Sequence, residues 1–324
     1  MINEHVQFAP EDDILDPLYD NVFKAIFTKN TPEARTALGT LISASIDIPV
    51  EVEEILQNEP APEDVRDRQI RFDIHCRSKD GRLINVEMTM YPDQFEPLRI
   101  EFFSCKLFTS QDIRGADKTY ADLWHTYHIS ILAKKNLGND ESYYHHFQYY
   151  DSVEKVALGG RSHIITIELA KSGNVEDKTV DEMSTIERWV IFLKNSSNRE
   201  KRAIINQIIK SEEGISMAAA TLLNISKDDN ERARLLTEYK IILDYQSGLA
   251  AAEQRGEARG EARGEAIGEA RGEAIGETRG MEKGKTAYKK AINLISLKTP
   301  IEKIVEETGL EQSEVEDLWD QVNK

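Results

Sequence analysis

The 324-residue sequence has only two cysteines, Cys76 and Cys105, which excludes a disulfide framework and predicts a reducing, cytoplasmic setting. No stretch approaches the ~20 consecutive apolar residues of a membrane-spanning helix, so no membrane partner is expected. The opening MINEHVQFAPEDD lacks a basic patch followed by an apolar run, so no signal peptide is read there. Positive charge is scarce. The 41 basic residues face 58 acidic ones, a net charge of −17, which argues against broad nonspecific attraction to DNA or anionic lipid. The deficit is uneven: residues 1–64 hold 14 acidic and 3 basic side chains, whereas residues 65–252 hold 28 and 26, which leaves room for local basic surface. No G-x-S-x-G elbow and no phosphate-cradling G-x-x-x-x-G-K-[ST] occurs, so these hydrolase and nucleotide-binding chemistries have no motif to stand on.

What is present divides into four stretches: a mixed α/β core over 1–183, a helical extension over 184–252, a glycine-rich repeat over 253–284 and a small helical segment over 285–324. The apolar stripe Tyr19, Val22, Phe23, Ile26, Phe27 predicts a helix with Asp16 as N-cap and Pro17 at its first position. A second helix is expected at 33–44 and an extended stretch at 47–56. A β-hairpin follows over 69–77 and 82–90, then an aromatic-rich helix over 95–112. Strands are read at 126–133, 144–150 and 163–169, and helices over 184–252. In the repeat, glycine recurs at every fourth position from Gly256 to Gly284 within G-E-A-R and G-E-A-I units. Each glycine costs about 1 kcal/mol of helix stability against alanine, so the segment reads either as a linker or as a helix held together by self-association. The last segment carries three short helical patterns, with Ser313 and Glu316 forming a capping box for the third.

The hairpin carries the chemistry. In its first strand Ile70, Phe72, Ile74 and Cys76 fall on one face, and Arg71, Asp73, His75 and Arg77 on the other. In its second strand Leu83, Asn85, Glu87 and Thr89 share a face, against Ile84, Val86, Met88 and Met90. An antiparallel register that opposes Asp73 to Glu87 also pairs Ser78 with Arg82, leaving the three-residue loop Lys79-Asp80-Gly81. Such loops place glycine in a left-handed conformation at the third position. Two carboxylates held ~5 Å apart repel unless a proton or a hard cation lies between them, and a divalent metal with oxygen ligands answers that cost. The alternative is a polar strand face whose carboxylates pair with Arg71, Arg77 or Lys24.

Asp16-Pro17, Asp20-x-x-Phe23-Lys24-x-x-Phe27, Arg71-Phe72-Asp73-Ile74, Gly81, Val86-Glu87-Met88, and then Arg99, Phe103 and Tyr120, follow one another in a characteristic order. In this the chain resembles the Rpn family of recombination-promoting nucleases and transposases, a branch of the PD-(D/E)XK superfamily, over residues 10–250. The resemblance implies a restriction-endonuclease-like mixed sheet flanked by helices, with a helical C-terminal extension. It implies a DNA endonuclease that hydrolyses phosphodiester bonds with a divalent ion, Mg²⁺ before Mn²⁺ or Ca²⁺, and acts in recombination or transposition. Asp73 and Glu87 would hold the metal, and Asp20 would add a carboxylate through water. Lys24 and Arg99 would bind the phosphate, and Lys24 and Thr89 would join the two carboxylates in catalysis. Thr89 stands where the superfamily has Lys and this branch Gln, and it carries no positive charge. The competing expectation is therefore a catalytically weak member that binds DNA and self-associates. DNA is the expected partner, with a homo-oligomer formed through the glycine repeat.

Other groups have less to support them. His125-Thr-Tyr-His128 and His145-His146 are not accompanied by a second ligand pair at zinc spacing. Cys76 and Cys105 are expected in the core. The basic stretch from Lys194 to Lys210, with Arg199, Lys201 and Arg202, reads as a solvated helix face before it reads as a DNA contact.

Overall fold

The computed structural model describes residues 6–56, 72–113, 115 and 117–323; within its longest helix the side chains at 242, 245, 246, 249, 250 and 253 are also left aside. By internal contacts the chain divides into two units, 1–242 and 243–324. In the first unit the order is α1 (Asp20–Phe27), α2 (Pro32–Ile46), β1 (Val52–Ile55), β2 (Ile74–Ser78), β3 (Leu83–Thr89), α3 (Glu96–Thr109) and β4 (Thr126–Leu132). β5 (Tyr144–Phe147), β6 (Ser162–Glu168), α4 (Gly173–Glu176), α5 (Thr185–Asn195), α6 (Arg202–Ser211) and α7 (Glu213–Lys227) follow. The long α8 (Asp229–Ser296) begins here and ends in the second unit, where α9 (Ile301–Thr308) and α10 (Gln312–Val322) complete the chain.

The six strands form one mixed sheet in the order β1-β2-β3-β4-β6-β5. β3, β4 and β6 run parallel, and the remaining neighbours are antiparallel. One face presents Ile74, Cys76, Ile84, Val86, Ile129, Ile131, Ile165 and Ile167 to a large apolar core shared with α1, α2, α5, α6 and α7. Helices α5, α6 and α7 thus enclose the same core as the sheet. At about 1.5–3 kcal/mol per fully buried large apolar side chain, this face dominates the stability of the unit. Close approach of α7 to α2 depends on Gly214, where a Cβ would lie 1.7 Å from Thr40 Oγ1. The opposite face is covered by α3 and has a smaller apolar cluster of Phe72, Leu83 and Leu107, with Phe103 packed against it.

Several expectations are corrected. α1 starts at Asp20, because the Asp16 carboxylate accepts from Leu18 N (3.0 Å) and Asp16 O from Tyr19 N (3.2 Å), a turn that keeps Tyr19 extended. Phe72 packs on the α3 side instead of with Ile74, because the chain bends at Asp73 and the strand alternation begins only at Ile74. Positions 69–71, Arg71 among them, lie outside the described residues. Cys76 is buried, but Cys105 is exposed on α3. In the last helix the capping box is formed by Glu311 and Glu314, not Ser313 and Glu316.

In the second unit Ala291, Ile295, Ile304 and Val315 form a small core, bordered by Ile301, Val305, Leu318 and Trp319. Gly309, at φ 69°, ends α9. Among the described residues no helix is long and apolar enough to cross a membrane.

Candidate active site

The hairpin register is the one expected from the three-residue loop. Ile74 pairs with Val86, His75 with Asn85, Cys76 with Ile84 and Arg77 with Leu83, and Asp73 precedes the first of these pairs. Gly81 fixes the turn: its N–H donates to Ser78 O (2.9 Å) and its φ is +90°. A Cβ there would also run into the Trp124 ring at 2.5 Å, so only glycine closes this loop.

The face carrying Glu87 is not an open polar surface. α3 covers it, and Asn85, Glu87 and His128 are all at most 1 % exposed. Glu87 Oε1 accepts from Asn85 Nδ2 (3.0 Å) and Oε2 from Arg99 of α3 (3.1 Å). Burial and the Asp73 charge push the Glu87 carboxyl up to about 8 from its ordinary 4.5, against the pull of Arg99 and Asn85. Asp73 accepts from the backbone N–H of Met88 (3.3 Å) and pairs with Lys24 of α1, Nζ to Oδ1 2.9 Å. Lys24 also donates to Asp20 Oδ2 (2.7 Å), one turn earlier on the same helix. Asp20 Oδ1 is shut off from solvent and has no hydrogen-bond partner among the described residues, and burial and the Asp73 charge raise this carboxyl to about 6. Lys24 is raised too: burial works against its charge, but Asp73 and Asp20 outweigh it.

Thr89 closes the far side. Its hydroxyl donates to Glu96 Oε1 (3.2 Å) and accepts from Arg99 (3.4 Å), and Arg99 lies 3.6 Å from Glu96 Oε2. Thus α1 supplies Asp20 and Lys24, the hairpin Asp73, Glu87 and Thr89, and α3 Glu96 and Arg99. The six residues singled out in the sequence lie in one cluster. Four more, Asn85, Glu96, Phe103 and His128, join them. Phe103 was visible only as part of the family pattern, and Asn85 only as the polar neighbour of Glu87 on its strand face. His128 was noted only within His125-Thr-Tyr-His128 as a zinc-type spacing, and Glu96 had no signal of its own.

The donor set suits a hard cation: it is all oxygen, crowded and partly orphaned. Among the described residues no group of three or more His, Cys, Asp or Glu side chains is disposed to hold an ion as the chain stands, and Lys24 and Arg99 neutralise the carboxylates instead. The residues fit an ion such as Mg²⁺, which keeps most of its waters and takes one or two carboxylates from the protein. The remaining histidines do not converge on one point. His163 spans His125 (3.0 Å) and His146 (3.2 Å) through its two different ring nitrogens, and His145 faces Asp140 and Glu168. The stretch from Lys194 is largely structural: Lys194 and Lys201 pair with Glu176, and buried Arg202 donates to Ser196 O and Asp12 O.

A family model described as PD-(D/E)XK nuclease family transposase matches residues 17–252. It bears out the resemblance read from the sequence, and the mixed sheet flanked by helices is the architecture that the resemblance implied. No curated protein and no solved structure matches the chain.

Proposed function

We propose, from the premise that this chain belongs to the PD-(D/E)XK nuclease family transposases, that it is a divalent-metal-dependent DNA endonuclease whose site is the Asp73–Glu87 hairpin. The observation that carries this reading is Glu87. It is 1 % exposed and its carboxyl is driven to about 8 by burial and by Asp73, so two carboxylates are held together at a cost to the fold. A bound Mg²⁺ supplies Lewis acidity toward a phosphoryl oxygen and lowers the pKa of a bound water. Asp73 and Glu87 are the residues that hold it, with Asp20 beside them.

Among the described residues Lys24 and Arg99 are cations beside the two carboxylates, and each orients a scissile phosphate and stabilises charge that develops on its oxygens. Thr89, held between Glu96 and Arg99, lends a hydroxyl but no charge; Arg99 supplies the charge that this position lacks. We further propose that the glycine-rich part of α8 brings copies of the chain together. Recombination or transposition is the process the family suggests. The test is cleavage of supercoiled plasmid by pure protein with Mg²⁺, Mn²⁺, Ca²⁺ or EDTA, beside Asp73→Ala and Glu87→Ala. Metal-dependent nicking or linearisation lost in both variants supports the reading. Equal cleavage by all three proteins overturns it, and binding without cleavage favours the catalytically weak, DNA-binding alternative that Thr89 suggests.

A further inference from the structure

Both oxygens of Glu87 are gripped, and both grips lead back to one residue. Asn85 Nδ2 donates to Glu87 Oε1 and lies 3.1 Å from His128 Nδ1. One amide nitrogen carries two hydrogens; with one on Glu87, the other points at the imidazole, so Nδ1 is the acceptor and the ring proton sits on Nε2. On the other side Arg99 donates to Glu87 Oε2, and its guanidinium lies over the Phe103 ring, 5.4 Å from the centroid. Phe103 in turn stacks on His128, with centroids 6.1 Å apart and planes 26° from parallel. A fully buried imidazole whose Nε2 finds no hydrogen-bond partner among the described residues is a poor way to fill a core. An unpaired buried donor costs about 1–3 kcal/mol, which an aliphatic side chain on β4 would avoid.

We infer that His128 is a positioning residue for Glu87: by accepting from Asn85 it fixes the amide with its NH₂ toward the carboxylate, and by stacking on Phe103 it backs the Arg99 guanidinium. Without the acceptor the amide is free to turn, and its oxygen then faces the carboxylate. His128 is fully buried and acts through Asn85 and Phe103. The inference rests on Glu87 being the working carboxylate of the proposed nuclease, but half of its test does not require cleavage.

That half is ¹⁵N NMR of the metal-free, full-length protein labelled at histidine. His128 is expected as the Nε2–H tautomer, with loss of that single form in Asn85→Ala. An Nδ1–H tautomer in the wild type overturns the inference. The other half is kinetic. His128→Phe keeps a ring to stack on Phe103 and removes the acceptor; residues that orient metal-binding carboxylates typically change activity or metal affinity by about 10–100-fold when replaced. A loss of that size in kcat or in Mg²⁺ half-saturation is expected, with KM for DNA unchanged. His128→Asn, which returns an acceptor oxygen near the place of Nδ1, should recover part of it. Wild-type kcat and Mg²⁺ dependence in His128→Phe, when Glu87→Ala is inactive, sinks the positioning role and leaves the nuclease standing. If Glu87→Ala cleaves as well as wild type, the nuclease reading fails instead and the tautomer alone decides. If His128→Phe does not fold, His128→Asn and the tautomer carry the decision.

Discussion

Lys24 Nζ lies 2.9 Å from Asp73 Oδ1, so the one basic residue of the first helix is tied to the carboxylate that opens the hairpin. The same ammonium holds Asp20 at 2.7 Å, and one cation therefore serves two acids. Hydrogen bonds to charged groups contribute about 1.5–3 kcal/mol each, discounted here because a third of the Lys24 side chain reaches solvent. Lys24→Met should lower the melting temperature of the metal-free protein at neutral pH, where both acids need a counter-charge. It should also reduce cleavage with Mg²⁺ present. Thermal melts and plasmid assays on the same preparation check both; a variant as stable and as active as wild type would place Lys24 outside the site.

The raised carboxyls fix how stability depends on pH. Glu87 moves from 4.5 to about 8 and Asp20 from 3.8 to about 6 on folding. Between those limits the folded chain keeps protons that the unfolded chain has released, so unfolding releases protons and stability falls as pH rises. Below the unfolded values both states are protonated, and above about 8 both have released the Glu87 proton, so the slope flattens at either end. The metal-free protein should therefore melt at progressively lower temperature from about pH 5 to about pH 8. Glu87→Gln, which cannot ionise, should remove the upper part of that slope. Mg²⁺ should raise the wild-type melting temperature more at the alkaline end. Scanning calorimetry across this range decides, and identical slopes for wild type and Glu87→Gln would contradict the burial of a protonated Glu87.

Thr89 stands where the superfamily carries a cation, yet Arg99 reaches its hydroxyl from α3. Thr89→Lys should thus bring little gain in an otherwise unchanged chain, because a positive charge is already beside Glu87. Arg99→Ala should cost most of the cleavage, since it strips Glu87 of its donor and the phosphate of its cation. In the combined Thr89→Lys, Arg99→Ala protein a substantial part of the rate should return. Single-turnover rates for the four proteins form a complete cycle, and strictly additive effects would mean that the two side chains do not share a role.

How far this site was readable depends on what alternation can report. The period of two, with Gly81 closing a three-residue loop, was enough for the register from Ile74–Val86 to Arg77–Leu83, with Asp73 just before it, and the helical period was enough for Val22, Phe23, Ile26 and Phe27. Alternation reports which residues share a face and is silent on what lies over that face. The strand face of Asn85 and Glu87 therefore looked like open polar surface, whereas α3 seals it and makes Glu87 an uncomfortable acid. His128 was harder still. Every residue of β4 is buried, so a strand covered on both sides gives no pattern to show which way a histidine points. Phe72 was misplaced because the bend at Asp73 interrupts the alternation just where it was extrapolated.

The repeat poses a question that the chain's own contacts leave unanswered. From 256 to 283 every residue is exposed, and α8 is nonetheless a single helix. Among the described residues a Cβ built on any glycine from Gly256 to Gly284 meets nothing within 4 Å, so no packing there asks for glycine. Each still costs about 1 kcal/mol against alanine, and only Ile267 and Ile275 offer bulky apolar surface before Met281. A second copy of the segment would use what glycine provides, close backbone approach, and would set Glu rows against Arg rows. The chain truncated after Ala252 should keep its fold and its hairpin site but lose self-association. Replacing Gly264, Gly268 and Gly272 together by alanine should raise helicity while weakening association, a combination that a mere linker would not produce. Size-exclusion chromatography with light scattering, alongside circular dichroism, measures both. The same mass per particle for full-length, truncated and alanine-substituted protein would make the repeat a spacer.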